Sequence, residues 1–163
     1  MVRRRCYRDV VRWATVLLLL AGCNDLRDFR GTWSGKRVGD DAPVLHANVA
    51  KGDATLTIDA IGARGLSGRL AVDGLMPDTP IASVEGAEAD VLSGITFSGA
   101  PLRVYLAFAP VPDGNGDALA IVALYDDHRV EVRLLRGGAQ PLYGIFALAE
   151  ADPAAAGRSA RAP

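Results

Sequence analysis

Apolar and polar residues alternate along much of this chain with the period of two that marks a half-buried strand. Thr-Leu-Thr-Ile-Asp at 55–59 sets Leu56 and Ile58 on one face. Leu102, Val104, Leu106 and Phe108 share a face of the run 102–108. At 129–135, Val130, Val132 and Leu134 alternate with Arg129, Glu131 and Arg133, whose shared face reads as a solvated surface ladder. Residues 118–125, Ala-Leu-Ala-Ile-Val-Ala-Leu-Tyr, are apolar on both faces. That fits a central strand, and a buried helix turn of the same length would read alike. Leu142–Leu148 has the character of a closing strand. Gly, Asp, Asn and Pro punctuate these runs at Lys51–Asp53, Asp73-Gly74, Ser98–Pro101, Asp113–Asp117, Asp126-Asp127 and Arg136–Gly138. Nowhere does a long helical period appear. The pattern predicts one all-β domain over 29–149, with roughly eight to ten short strands in an antiparallel barrel or a β-sandwich. Leu56, Ile58, Leu106 and Phe108 are expected to point into its interior.

The first 22 residues obey a different pattern. Arg3, Arg4, Arg5, Arg8 and Arg12 precede an apolar stretch from Trp13 to Ala21. That stretch is far short of the roughly 20 apolar residues that span a bilayer as a helix. A basic start, a short apolar core and small residues at its end make a secretory signal over 1–22. Leu20-Ala21-Gly22-Cys23 resembles the lipobox of bacterial lipoproteins in all four positions. The resemblance implies that cleavage falls between Gly22 and Cys23, and that the Cys23 thiol carries a diacylglycerol. The alternative is an ordinary signal with an incidental cysteine. Two or more acyl chains hold a protein firmly to a membrane, because each buried methylene is worth about 0.8 kcal/mol. Asn24 is not the aspartate that retains such proteins in the inner membrane, so the resemblance favours the periplasmic face of the outer membrane. Residues 23–28 form a short tether, of which five extended residues reach at most about 17 Å. The folded body is therefore expected close to the lipid surface.

Removing the signal changes the charge balance. The whole chain carries 18 basic and 19 acidic residues, net −1. Segment 1–22 holds five arginines and Asp9, net +4, so the 141 residues that remain carry −5. A mildly acidic body argues against nucleic-acid binding and against an electrostatic grip on anionic lipid. With Cys6 lost and Cys23 acylated, no thiol remains for a disulfide, a zinc site or a nucleophile. Residues 150–163 are alanine-rich and broken by Pro153, Gly157 and Pro163, which reads as a disordered tail.

Candidate chemistry is sparse. Gly31-Thr32-Trp33 resembles the G-x-W of the lipocalins, at the start of their first barrel strand. That resemblance implies a tryptophan plugging one barrel end under an arginine, for which Arg133 or Arg136 could serve. The threonine-aspartate-tyrosine motif of that family is missing, and a buried core aromatic of any small β domain explains Trp33 equally. Asp113, Asn115 and Asp117 invite a calcium reading, but Ala118 and Leu124 stand where an EF-hand needs glycine and glutamate. A plain hairpin turn explains them. His46 and His128 lack ligand spacing, and Asp126, Asp127 and His128 read together as a surface turn. Ser34 and Ser67 complete no nucleophile elbow. Ser34-Gly35-Lys36-Arg37 lacks both the upstream glycine and the hydroxyl of a phosphate-binding loop.

No catalytic residue, cofactor or metal is therefore assigned. The expected protein is a non-catalytic lipoprotein of the cell envelope, held to membrane lipid through Cys23, with a β domain that binds a small apolar ligand. The alternative is a structural or accessory subunit of an envelope protein complex. The first requires a deep apolar cavity. The second requires a filled interior and an exposed apolar patch.

Overall fold

A computed structural model describes residues 25–38, 48–49, 52–84, 95–112, 116–138 and 141–151. A turn of 3-10 helix, η1 (Leu26–Phe29), leads into nine strands. They are β1 (Gly31–Gly35), β2 (Asn48–Val49), β3 (Ala54–Gly62), β4 (Gly65–Val72), β5 (Met76–Ser83), β6 (Arg103–Ala109), β7 (Ala118–Leu124), β8 (Val130–Arg136) and β9 (Leu142–Glu150). Eight of them form an antiparallel meander in the order β1-β3-β4-β5-β6-β7-β8-β9, and β1 pairs back onto β9. The result is a closed barrel of lipocalin-like type, so of the two expected architectures the barrel forms and the sandwich does not. β2 lies parallel to β9, with Asn48 opposite Leu142. The expected lipobox Leu20–Cys23, the expected cleavage point between Gly22 and Cys23, and residues 152–163 of the expected tail lie outside the described residues.

The closing seam is short in paired strand but long in hydrogen bonds. Trp33 stands opposite Glu150 and Ser34 opposite Ala149. Around them, the Ala151 amide donates to the Thr32 carbonyl at 2.8 Å, Ala147 to Lys36 at 3.2 Å and Val38 to Ile145 at 2.7 Å. Gly35 permits this approach: a Cβ there would collide with the Ala147 carbonyl oxygen.

Side chains alternate along every strand, so each strand sends one set inward. Leu56 and Ile58 do point in, as do Val130, Val132 and Leu134, all of them buried. In β3 a bulge after Ile58 leaves both Asp59 and Ala60 outside and returns Ile61 to the core. Phe108 does not point in, contrary to expectation, and Leu106 shares its outer face, where it is nonetheless buried at 5% exposure. The inner face of β6 is Tyr105, Ala107 and Ala109, and Phe108 is 46% exposed. Both faces of this stretch are apolar, so periodicity identifies a shared face without saying which one is inside. Space inside the ring decides. β6 and β7 contribute Ala107, Ala109, Ala118 and Ala120, each 0% exposed. Around an eight-strand ring in this order, β1 and β3 stand across from β6 and β7, and they carry Trp33, Leu56 and Ile58. Small residues on one wall make room for large ones from the other, which fills the interior as one contiguous cluster.

η1 closes one end. Asp25 caps it by accepting the Arg27 amide at 3.0 Å, and Arg30 leaves it in extended backbone. Phe29 is buried and stacks on Trp33, with ring centroids 5.6 Å apart. The Trp33 indole donates to the Phe29 carbonyl at 2.9 Å, so burying its polar edge leaves no orphan donor. At the other end Arg136 points inward, 4% exposed, and donates to the Gly116 and Leu75 carbonyls, each at 3.1 Å.

Replacing Gly35 with Ala should destabilise the barrel by about 1–3 kcal/mol or more, the usual range for a forced overlap in a packed site. The check is the urea midpoint of the full chain. An unchanged midpoint would show that β1 can shift off β9 without loss.

Candidate functional site

The outward side chains divide the barrel into two unlike walls. On β3 to β5 the outer face is polar: Thr55, Thr57, Ser67, and an exposed Arg69–Asp78 pair at 2.6 Å. On β6 to β9 it is apolar. Phe108, Leu119, Leu135 and Tyr143 stand in one register row across four strands. Leu106, Ile121, Arg133 and Ile145 form the row beside it. Phe108 and Leu135 are 46% and 42% exposed. Neighbouring cross-strand partners on one face lie within contact range, so these rows make a continuous strip.

One flank of the strip is covered by residues 95–100, which fold back over β7 and β8. The Arg133 guanidinium lies 4.9 Å from the Phe97 ring centroid and donates to the Thr96 carbonyl. Its Nε donates to Glu131 Oε1 at 2.7 Å. Tyr125 OH donates to Glu131 Oε2 at 3.2 Å, and Ser98 Oγ donates to Tyr125 OH at 3.1 Å. Arg129 lies over the Tyr125 ring at 4.7 Å and pairs with Asp127 at 2.6 Å. Glu131 is 5% exposed and the Arg133 side chain 16%, so these two members of the expected solvated ladder form a buried latch, whereas Arg129 stays on the exposed surface as expected. The contacts of residues 96–98 with Tyr125 and Arg133 span 27 to 37 residues of sequence, which strand periodicity cannot register.

Electrostatics keep the latch charged. Burial pushes the Glu131 pKa up, but hydrogen bonds from Ser98, Arg133 and Tyr125 and the Arg133 charge outweigh burial and hold it below the ordinary 4.5. Burial raises the Tyr125 pKa above its usual range, and the neighbouring Glu131 carboxylate adds to that. Tyr125 therefore stays protonated as the donor and Glu131 stays ionised as the acceptor. Neither is a free base, and the cluster serves to hold 95–100 down.

The other singled-out residues disperse. Trp33 takes its expected place at the start of the first barrel strand. Its stacked partner, however, is Phe29: Arg133 points outward onto Phe97, and Arg136 lies at the far end of β8. His128 adopts φ 56 in the β7–β8 turn and stacks on Phe29 at 5.4 Å, which ties that turn to η1. His46, Asp113 and Asn115 lie outside the described residues. Asp117 is exposed, and its carbonyl accepts the Gly137 amide at 3.3 Å. Ser34, Gly35, Lys36 and Arg37 run along the barrel seam and form no loop around an anion. Among the described residues, no three His, Cys, Asp or Glu side chains are placed to hold a metal ion. Comparison with known family models, curated proteins and solved structures gives no match. The apolar strip and the latch were missed at the sequence level. The available signal was Leu102, Val104, Leu106 and Phe108 on one face beside a strand apolar on both.

Glu131→Gln should cost about 1–3 kcal/mol of stability at neutral pH, because a buried hydrogen-bond network loses its charge and one of its two acceptor oxygens. Glu131 has a lower pKa folded than unfolded, so its contribution is complete above the unfolded value and fades as pH falls through the folded one. Urea midpoints measured from pH 7 downward should therefore begin to converge for wild type and variant below the unfolded value and meet below the folded one. Parallel curves would assign the loss to packing alone.

Proposed function

We propose that the chain is a non-catalytic lipoprotein of the cell envelope, anchored through acylated Cys23, whose barrel docks another envelope protein. The lipobox supports the anchor, and the residue after Cys23 supports the periplasmic face of the outer membrane. The observation that carries the docking role is the apolar strip of Phe108, Leu119, Leu135 and Tyr143 on the outside of a barrel whose inside is packed. Membrane-spanning barrels have polar interiors and an apolar band all round. This barrel has the reverse inside, and a polar outer wall over β3 to β5. It is a water-exposed body with one apolar side. Exposed aromatic and aliphatic side chains grouped this way are what protein interfaces bury at their centre. Carriage of a small apolar ligand in the barrel finds less support, because a ligand there would have to displace Trp33, Leu56 and their neighbours.

Photo-crosslinkers placed at Phe108 and at Leu135 in the native host should give one discrete protein adduct. A crosslinker at Thr57, on the polar wall, should give none. The paired variant Phe108→Arg/Leu135→Arg, made with the crosslinker at Leu119, should lose that adduct while keeping the wild-type urea midpoint. Adducts equally abundant from Thr57, or unaffected by the arginines, would refute docking through this strip. Intact mass of the detergent-extracted protein checks the anchor separately: a chain beginning at Cys23 with added acyl mass is expected, and one beginning at Met1 would refute it.

A further inference from the structure

The described residues form an open groove of about 580 Å³ beside the β3–β4 hairpin, on the rim that η1 closes. That volume lies within the usual range for small-ligand sites, roughly 300–1,000 Å³. Buried Ile61 and Leu66 make its apolar base. Arg30 enters from the end of η1, Arg64 from the hairpin turn, Ser67 from β4 and Ser83 from the end of β5. Among the described residues, no carboxylate lines it. Asp28 and Asp59 are near in sequence but are not among the lining residues.

Several of the groove's acceptors are already engaged. The Gly62 carbonyl accepts Tyr105 OH at 2.9 Å, and the Ala63 carbonyl accepts Arg103 Nη2 at 2.7 Å. Ser83 Oγ accepts the Leu66 amide at 2.8 Å, which leaves its own proton to give. Arg30 and Arg64 are exposed and make no ion pair among the described residues. Two unpaired guanidiniums, two hydroxyls and a fixed apolar base suit an anion that carries an apolar body. Guanidinium groups bind phosphate oxygens through paired donors.

Location selects the source of that anion. Three extended residues from Cys23 to Leu26 span at most about 11 Å. On the anchoring reading above, the rim that bears this groove therefore faces the bilayer. We propose that the groove binds the phosphate headgroup of an anionic membrane lipid and so fixes the orientation of the barrel on the surface. The net negative charge of the body does not prevent this. Carboxylates elsewhere are screened beyond about 8 Å at physiological salt, whereas Arg30 and Arg64 meet the headgroup directly.

The test uses acylated full-length mature protein, extracted in detergent, checked for acyl mass and reconstituted in nanodiscs. Amide hydrogen exchange over Gly62–Ser67 is read in three settings: phosphatidylcholine alone, phosphatidylcholine with phosphatidylglycerol, and phosphatidylcholine with inorganic phosphate. Exchange should slow only with phosphatidylglycerol. Arg30→Gln/Arg64→Gln should abolish the slowing, since two basic residues at an anionic surface are worth about 30-fold in affinity. Far-UV circular dichroism confirms that the variant keeps its strands. Slowing by inorganic phosphate to the same degree would overturn the lipid assignment in favour of a soluble phosphate. Equal exchange in all three settings, or slowing that survives in the variant, would overturn the site. A chain without acyl mass would instead defeat the anchoring reading, before any groove measurement is made.

Discussion

The structure depends on the return of β1 to β9. An open eight-strand sheet would leave two edges of unpaired amides and carbonyls, each a template for aggregation. Closure abolishes both edges and encloses one interior. The bonds of Thr32, Lys36 and Val38 to β9 carry it, and Gly35 makes the approach possible. β2 then pairs with β9 at Leu142 and Tyr143, beyond the last bond made by the β1 segment. Every other feature presupposes this ring. The latch folds over its outer wall, η1 plugs one mouth and Arg136 closes the other.

Closure also sets where function can reside. A ring of eight strands has little internal volume, about enough for its own side chains. Here Trp33, Leu56 and Phe146 occupy it opposite a wall of alanines. An interior filled in this way stabilises the fold and leaves recognition to the surface. The barrel surface is correspondingly uneven. One wall carries Thr55, Thr57, Arg69 and Asp78, and the other carries Phe108, Leu119 and Leu135.

Strand positions were legible at β3 and β6 to β9, from Leu56 and Ile58 to Val130, Val132 and Leu134, whereas β4 and β5, interrupted by Gly68, Pro77 and Pro80, were marked only by the Asp73-Gly74 turn between them. The barrel itself was legible as one of two ways to pack such strands, and Gly31-Thr32-Trp33 marked the first. Three things were not legible, each for a physical reason. The inside of β6 was misassigned because Ala107 and Ala109 are less apolar than Leu106 and Phe108. Hydrophobicity favoured the larger residues, whereas the space left by Trp33 across the ring favoured the smaller. Glu131 read as solvated because its burial comes from residues more than thirty positions away. Trp33 was expected under a cation, yet Phe29 reaches it first from within the same turn of chain. Local pattern reports which residues share a face. It does not report what the chain later lays across that face.

The latch explains why the apolar wall is only partly exposed. Arg133 stands between Ile121 and Ile145 in register, where a cation would otherwise interrupt the strip. Its guanidinium is drawn away over Phe97 and bound to Glu131, so its charge is neutralised beside the strip instead of projecting from it. Removing one partner of such a pair costs about 1–3 kcal/mol, which is a sizeable share of the stability of a small domain. The ion pair is thus an expensive place to alter and a firm one to build on. It pins residues 95–100 at one border of the apolar rows and leaves Phe108 and Leu135 open at the other. The groove at Arg30 and Arg64 lies on the mouth closed by η1, while the strip runs along the side of the barrel. A body held by its rim would therefore present the strip sideways, parallel to the membrane, towards whatever protein stands next to it.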